Sequence, residues 1–202
     1  MRGLKPPRYP TLWEACVNAV LFQQVSLVAA SAILRRLILA VGSPVVCDGE
    51  IRLHTFPDVK SVLGATDGVL HAAGLSAGKM ATLRRVGAAL AAGTLDERML
   101  EACTSLEAAA RLQTIKGIGP WTATVILLRG LGRLDVFPMN DSSVSANLAF
   151  VAGSMPPDVE SVLAALGPQR GMLYYHLLLA RLDARKEIGR ASTYDIARPT
   201  RS

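Results

Sequence analysis

Apolar and polar positions along most of the chain alternate with the period of an α-helix. Segments such as LWEACVNAVLFQQ and SLVAASAILRRLILAVG repeat apolar side chains at intervals of three and four residues. The pattern predicts a first helix after Thr11, with Glu14 in the capping-box position, and a second helix that ends at Gly42. Similar segments recur as far as Leu182. We therefore predict an all-α fold of about ten helices.

Three stretches depart from this pattern. Residues 43–56 have no helical period, and CDGEIRL within them indicates a loop or a small hairpin, while the chain as a whole shows no convincing sheet. The opening segment GLKPPRYP is rich in proline and is predicted to be extended. Residues 183–202 form a polar tail.

The composition favours a helical core and an anionic partner. Half of the 202 residues are apolar but only 5% are aromatic, so the core must be mainly aliphatic. The net charge of +6 suggests nucleic acid first and a membrane surface second. On charge alone, a mildly basic soluble enzyme is an equally good interpretation.

The cysteines and the N-terminus bear on the compartment. Cys16, Cys47 and Cys103 lie far apart and have no metal-ligand spacing, which indicates thiols in a reducing environment. The segment MRGLKPPRYPTLWEA lacks the apolar stretch of a signal peptide, and polar residues interrupt every long apolar run. We expect a cytoplasmic protein with no membrane partner.

The stretch LQTIKGIGPWTA, residues 112–123, interrupts two helical segments. Gly117 and Gly119 weaken the first helix, and Pro120 suits the first turn of the next. The pattern predicts a helix, a tight glycine hairpin and a second helix. Uncovered amides at such a turn bind anions, and Lys116 adds positive charge. Taken by itself, however, the motif is more often a purely structural turn.

Residues 112–144, LQTIKGIGPWTATVILLRGLGRLDVFPMNDSSV, resemble the helix-hairpin-helix (HhH-GPD) DNA glycosylase superfamily. Within it they are most similar to the 3-methyladenine DNA glycosylase II (AlkA) type. A weaker similarity extends over about residues 10–182. The resemblance implies two helical lobes with the active-site cleft between them, and residues 1–202 as a single glycosylase unit.

Asp141 is the candidate catalytic residue. In the family, the Asp that closes the loop after the second hairpin helix stabilises the positive charge left on the sugar when the base departs. The residues alone favour a simpler interpretation, in which Asp141 caps the following helix. With the resemblance we favour the catalytic role, and one carboxylate is able to perform both. Asp135 is expected to be structural.

The resemblance also implies a substrate pocket. Trp121, Val125 and Gln169 occupy its positions, although Trp121 is equally compatible with helix packing. Val125 and Gln169 stand where the family has aromatic residues, which predicts a pocket with less aromatic surface. His176 is expected to be a packed core histidine.

The predicted contacts with DNA are those of the hairpin and of two loops. Gln24 occupies the position of the residue that fills the gap left by a flipped base. The full set is Gln23, Gln24, Lys116, Gly117, Ile118, Gly119 and Arg170. For Arg170 a contact with DNA or with Asp141 is considered, and a solvated side chain is the default interpretation. Arg84 and Arg85 are expected on a solvent-facing helix surface.

The family pattern limits the cofactors. It implies a monovalent cation, sodium or potassium, on the main-chain carbonyls of Gln113, Ile115 and Gly117. An iron–sulfur cluster needs four cysteines near the C-terminus, whereas this chain has three in total and none after Cys103. No cluster and no required cofactor are expected.

The reaction implied is that of a monofunctional enzyme. Bifunctional members carry a lysine where this chain has Trp121, so no Schiff base and no strand cleavage are expected. The implied activity is base excision repair by hydrolysis of the N-glycosidic bond of alkylated purines such as 3-methyladenine. Two alternatives stay open: action on deaminated or mismatched bases, and non-catalytic binding of damaged DNA. We expect a monomer that binds double-stranded DNA in the nucleoid of a bacterium or archaeon, or in a eukaryotic nucleus.

Overall fold

The described part of the chain is mainly helical, as its pattern predicts. The computed structural model describes residues 4–47, 51–139, 141–153 and 158–186. The helices are α1 (Leu12–Leu21), α2 (Leu27–Val41), α3 (Val59–Gly64), α4 (Asp67–Ala72), α5 (Ala77–Ala91), α6 (Glu97–Glu101), α7 (Ser105–Gln113), α8 (Pro120–Gly130), α9 (Ser142–Ala152), α10 (Val159–Leu166) and α11 (Arg170–Ala184). None of the helices in these ranges has the length and hydropathy that spanning a bilayer requires.

The predicted helix ends agree with the structure. The Thr11 hydroxyl accepts a hydrogen bond from the Glu14 amide at 3.1 Å, so α1 begins where the sequence indicated. Gly42 is the C-cap of α2. Local side-chain chemistry therefore determined the start of α1.

Of the loop or small hairpin expected around CDGEIRL, the structure shows the hairpin, which forms a two-stranded sheet. Strands β1 (Pro44–Cys47) and β2 (Ile51–His54) pair antiparallel, with Val45 opposite Leu53. The connecting residues 48–50 lie outside the described residues. Adjacent β-branched valines favour the extended backbone, and a short connection lets two brief strands pair without a long apolar pattern.

The helical pattern of residues 158–182 is interrupted in the structure. A 3₁₀ turn, Gly167–Gln169, separates α10 from α11, and Gly167 has a positive φ of 51°. Glycine adopts this conformation without the steric cost that other residues meet. Of the predicted tail 183–202, residues 187–202 lie outside the described residues.

Two clusters of buried apolar residues define two lobes. The larger cluster centres on α1, where Cys16, Val17, Val20 and Leu21 are fully buried, and it includes side chains of α5, α7 and α8. The smaller cluster consists of Phe137, Val144, Leu148, Leu163 and Leu177, which come from α9, α10, α11 and the loop before them. The predicted all-α architecture of two helical lobes is therefore confirmed.

Gly171 allows the second lobe to approach the first closely. Its amide donates a hydrogen bond to the Leu134 carbonyl at 2.7 Å. A Cβ atom at position 171 would lie 2.8 Å from Leu128 Cδ1 and 2.9 Å from the Val136 carbonyl oxygen. Real Cβ contacts are longer than this, so a larger residue would push α11 away from the loop.

We expect Arg133→Ala to lower the free energy of unfolding by about 2 kcal/mol. The Arg133 guanidinium donates to the carbonyls of Leu100 at 2.6 Å and Cys103 at 2.7 Å, which stand at the end of α6 and just beyond it. Removing it takes one charged donor from each carbonyl, although the Leu100 carbonyl still accepts from the Cys103 amide at 3.2 Å. Urea unfolding measures the change. Arg111→Ala, on the exposed surface of α7, is the matched control and should change stability by less than about 0.5 kcal/mol. An equal effect of both variants would contradict this role of Arg133.

Candidate active site

The glycine stretch forms the predicted turn between two helices. Helix α7 ends at Gln113, and α8 begins at Pro120 with Gly119 as its N-cap. Within the turn, the Ile118 amide donates to the Ile115 carbonyl at 2.9 Å. Gly117 has a φ of 104°, and a Cβ atom there would overlap the side chain of Thr82 on α5. Both the conformation and the space therefore require glycine at position 117.

The beginning of α8 exposes uncapped backbone amides. No side chain caps the helix at Gly119, and Pro120 has no N–H to offer. A Cβ atom placed on Gly119 would meet no heavy atom within 4 Å. The amides of the first turn of α8, together with the helix dipole, therefore suit an anion such as a phosphate.

Two side chains from elsewhere in the chain, one in the turn after α1 and one on α5, hold the hairpin in place. Gln23 Nε2 donates to the Gly117 carbonyl at 3.0 Å and to Thr122 Oγ1 at 2.8 Å. Arg85 Nη1 donates to the Lys116 carbonyl at 3.1 Å. Arg85, expected only on a solvent-facing surface, thus joins exposed Lys116 at the hairpin and adds a second positive charge there.

Asp141 lies between the two lobes and is half-buried. It is the N-cap of α9, and its Oδ1 accepts a hydrogen bond from the Ser143 amide at 2.8 Å. Its Oδ2 accepts one from Trp121 Nε1 at 2.9 Å and another from the Tyr174 hydroxyl at 2.7 Å. The capping interpretation is therefore correct. The same carboxylate is also held by one side chain from α8 and one from α11.

These hydrogen bonds keep the carboxylate charged. Burial alone would raise the pKa of Asp141, but the hydrogen bonds from Ser143, Tyr174 and Trp121 outweigh it and hold the pKa below its ordinary value. Burial and the adjacent charge of Asp141 both raise the pKa of the Tyr174 phenol. At neutral pH the site therefore contains an ionised carboxylate beside a protonated phenol.

Comparisons with known proteins agree with this arrangement, although no family model matches the chain. Over 140 residues, 69% of its length, the chain is 38% identical to a probable bifunctional transcriptional activator/DNA repair enzyme AlkA of Mycobacterium tuberculosis. Its structure is similar to a 3-methyladenine DNA glycosylase of Schizosaccharomyces pombe in complex with abasic DNA, with TM-score 0.70, 26% identity and coverage of 90% of this chain and 86% of that one. It is also similar to a DNA-3-methyladenine glycosidase of Bacillus halodurans, with TM-score 0.67, 27% identity and coverage of 91% and 82%.

The chain belongs to the helix-hairpin-helix DNA glycosylase superfamily. Its resemblance is to the AlkA-like type. The chain spans 27% of the Mycobacterium tuberculosis relative, and 46% and 54% of two other curated relatives that it matches.

In this glycosylase superfamily member, Tyr174 is a site residue that the sequence did not reveal. Its ring packs edge-to-face against Phe137, with centroids 6.1 Å apart, and so belongs to the second lobe. The three-residue interval between Tyr174 and Leu177 indicates a shared helix face, but that signal predicts burial and not a partner. Aromatic surface beside Asp141 therefore comes from Trp121 and Tyr174.

Three predicted residues are not among the hydrogen-bond partners described for Asp141 in this superfamily member. Val125 packs against the first lobe's core. Gln169 is exposed immediately before α11, and Arg170 Nε donates to the Gly167 carbonyl at 2.9 Å. The hydrogen bonds described for Asp141 come instead from Trp121, Ser143 and Tyr174. A pocket role for Val125 and Gln169, and a DNA contact by Arg170, stay predictions.

The predicted DNA contacts differ in how accessible they are. Gln24 is exposed in the turn after α1, with a φ of 55°. The Ile118 side chain is only 4% exposed, so a contact there would involve its backbone. Both Gln23 amide contacts are within the protein. In this superfamily member, Gln24, Lys116, Gly117 and Gly119 are therefore the exposed members of the predicted set.

Proposed function

We propose that this protein hydrolyses the N-glycosidic bond of alkylated purines such as 3-methyladenine in double-stranded DNA, as a monofunctional glycosylase of base excision repair. The supporting observation is the ionised Asp141 carboxylate, held between two lobes by Trp121 and Tyr174. The Mycobacterium tuberculosis relative is named as a DNA repair enzyme, and the two structural relatives described above are named for 3-methyladenine.

The charge of Asp141 matches the demands of this reaction. Departure of the base leaves positive charge on the sugar, and a fixed negative charge nearby stabilises it. Since hydrogen bonds hold the pKa of Asp141 below its ordinary value, the carboxylate is a weak proton acceptor at neutral pH. We therefore assign it mainly to electrostatic stabilisation, with the orientation of a water as a lesser contribution.

Trp121 supports the absence of strand cleavage. It occupies the position of the lysine that forms a Schiff base in bifunctional members, and its indole N–H is bound to Asp141. An indole has no amine with which to form an imine. The proposed product is an abasic site in an unbroken strand.

The hairpin is the proposed contact with the DNA backbone. Uncapped amides at the start of α8 and the cations Lys116 and Arg85 are features that bind phosphate without reading sequence. Gln24 is proposed to fill the gap left by the extruded base, from the exposed turn after α1. We propose that one copy of the chain acts on each site.

A monovalent cation at the hairpin is compatible with its carbonyls. The Ile115 carbonyl accepts one hydrogen bond from the Ile118 amide, and the Gly117 carbonyl accepts one from Gln23. A carbonyl oxygen has two lone pairs, so each retains one for a cation. With the Gln113 carbonyl they would hold the ion, which would supply positive charge toward a phosphate. Within the described ranges, no group of three or more His, Cys, Asp or Glu side chains is arranged to hold a metal ion.

Lesion choice tests the proposed function. We expect the protein to release 3-methyladenine at least tenfold faster than hypoxanthine from otherwise identical duplexes, that is, with an advantage of roughly 1.4 kcal/mol or more. A cationic purine already has a weakened glycosidic bond, and its charge favours a site containing Asp141 and the Trp121 ring. Single-turnover release, corrected for release without enzyme, measures both rates.

The outcomes separate the alternatives. Faster release of the neutral lesion would favour the alternative of a glycosylase for deaminated bases. Binding to both duplexes with release of neither would favour a non-catalytic protein. Hypoxanthine and 3-methyladenine are compared in one duplex sequence. The affinity of the protein for each duplex, measured separately, shows whether a difference in release rate reflects a difference in binding.

A further inference from the structure

The Asp141 carboxylate has an unequal distribution of hydrogen bonds. Its Oδ2 accepts from Trp121 Nε1 at 2.9 Å and from the Tyr174 hydroxyl at 2.7 Å. Its Oδ1 accepts from the Ser143 amide at 2.8 Å. A carboxylate has about four acceptor positions, two on each oxygen. Among the hydrogen bonds of the described residues, two therefore go to Oδ2, which they saturate, and one goes from a backbone amide to Oδ1.

We propose that Tyr174 is a positioning residue that fixes the rotation of the Asp141 carboxylate, turns Oδ1 toward the reacting sugar and keeps the carboxylate ionised. This role rests on the proposed glycosylase function, because base release is the reaction that the carboxylate would serve. Tyr174 acts through Asp141 and is not assigned a contact with the substrate.

The surroundings of Tyr174 suit a rigid donor. Its ring is fixed against Phe137 in the core of the second lobe, while its hydroxyl reaches the carboxylate between the lobes. Trp121 approaches the same oxygen from α8 in the first lobe. Two donors on rigid elements from opposite lobes restrict the rotation of a carboxylate more than the cap from Ser143 does.

The charges around this pair define its behaviour with pH. Asp141 and Tyr174 face each other, and the cation that acts on Tyr174 is Arg129 of α8. The Arg129 guanidinium lies over the rings of Tyr9 and Tyr175, at 4.9 Å and 5.9 Å from their centroids. Burial and the Asp141 charge raise the pKa of Tyr174 against the opposing effect of Arg129. The phenol therefore stays protonated and donates throughout the working range of pH.

Tyr174→Phe removes this donor and keeps the ring. The ionised form of Asp141 loses a hydrogen bond, so the pKa of Asp141 should rise. We expect the acidic limb of the single-turnover pH–rate profile to move up by about one pH unit. The plateau rate should fall about tenfold because the carboxylate is less well oriented, while DNA affinity stays unchanged.

Tyr175→Phe is the matched control. Tyr175 is the next residue of α11, and its ring faces Arg129 and His176. The same chemical change there should leave the profile and the plateau rate unchanged. Circular dichroism and thermal unfolding show whether both variants fold, and release measured without enzyme is subtracted at every pH.

A second measurement does not depend on activity. The carboxyl ¹³C resonance of Asp141, followed by NMR across the acidic range, should report a higher pKa in Tyr174→Phe than in the wild type. If folded Tyr174→Phe changes neither this pKa nor the pH–rate profile, Tyr174 has no positioning role. Absence of base release by the wild type would overturn the proposed function and the catalytic part of this inference, while the NMR titration would still decide whether Tyr174 sets the pKa of Asp141.

Discussion

We expect Asp141→Asn to reduce base release by a factor on the order of 10²–10³ or more, while the protein still folds and binds DNA. The amide has no negative charge to place near the sugar cation. Single-turnover release from methylated duplex DNA measures the loss, and an electrophoretic mobility assay measures the binding. Turnover near that of the wild type would overturn the assignment of Asp141.

The contacts of Asp141 predict a modest loss of stability in this variant. Asparagine caps helices well, so the cap alone would survive the change. The Trp121 indole N–H is only a donor, however, and it requires an oxygen opposite it. Trp121 and the Ser143 amide donate to different oxygens of the Asp141 carboxylate. The single oxygen of the asparagine amide can occupy only one of these two positions. We expect a cost of about 1–2 kcal/mol in the free energy of unfolding.

Asp135→Asn provides the matched control for the loss of activity. Asp135 lies six positions before Asp141 in the same loop and is exposed. The change of charge is identical, but the lost charge is not in the site between the lobes. Base release should stay within about twofold of the wild type if the effect at Asp141 is local. An equal loss in both variants would indicate a general effect of charge instead.

Substitutions at the two hairpin glycines should have different consequences. We expect Gly119→Ala to fold normally and to weaken DNA binding by about tenfold or more for every sequence, because its Cβ atom meets open space in the protein but would stand between phosphate and amides. Gly117→Ala should lose binding and also unfold more easily, since its Cβ atom would overlap Thr82 and its φ of 104° is unfavourable for alanine. Fluorescence anisotropy and thermal unfolding measure the two effects separately.

A glycine outside the hairpin and a salt titration complete this test. Gly64→Ala, at the end of α3, also places its Cβ atom in open space and should leave DNA affinity unchanged. Wild-type affinity should fall steeply as salt rises, because phosphate contacts release counterions. Normal affinity in Gly119→Ala, or affinity insensitive to salt, would count against a phosphate site at the hairpin.

Local patterns were sufficient to predict most of the fold. The ends of α1 and α2 and the turn between α7 and α8 follow from caps, apolar periodicity, glycine and proline, all of which act within a few residues. The sequence left the β1–β2 segment open between a loop and a small hairpin, because four-residue strands are too short to show a clear alternation. The resemblance to a known superfamily then made Asp141 the candidate catalytic residue, whereas its local sequence shows it only as a cap.

The tertiary structure alone decided which side chains share the site. Tyr174 reaches Asp141 across 33 positions, Arg85 reaches Lys116 across 31, and Gln23 reaches Gly117 across 94. A helical period shows which face of a helix is buried, but it does not show which distant helix packs against that face. By itself the sequence determined the helices, the glycine hairpin and the positive charge of this protein. Long-range packing decided the partners of its carboxylate, because hydrogen bonds between side chains depend on positions that only the packed lobes define.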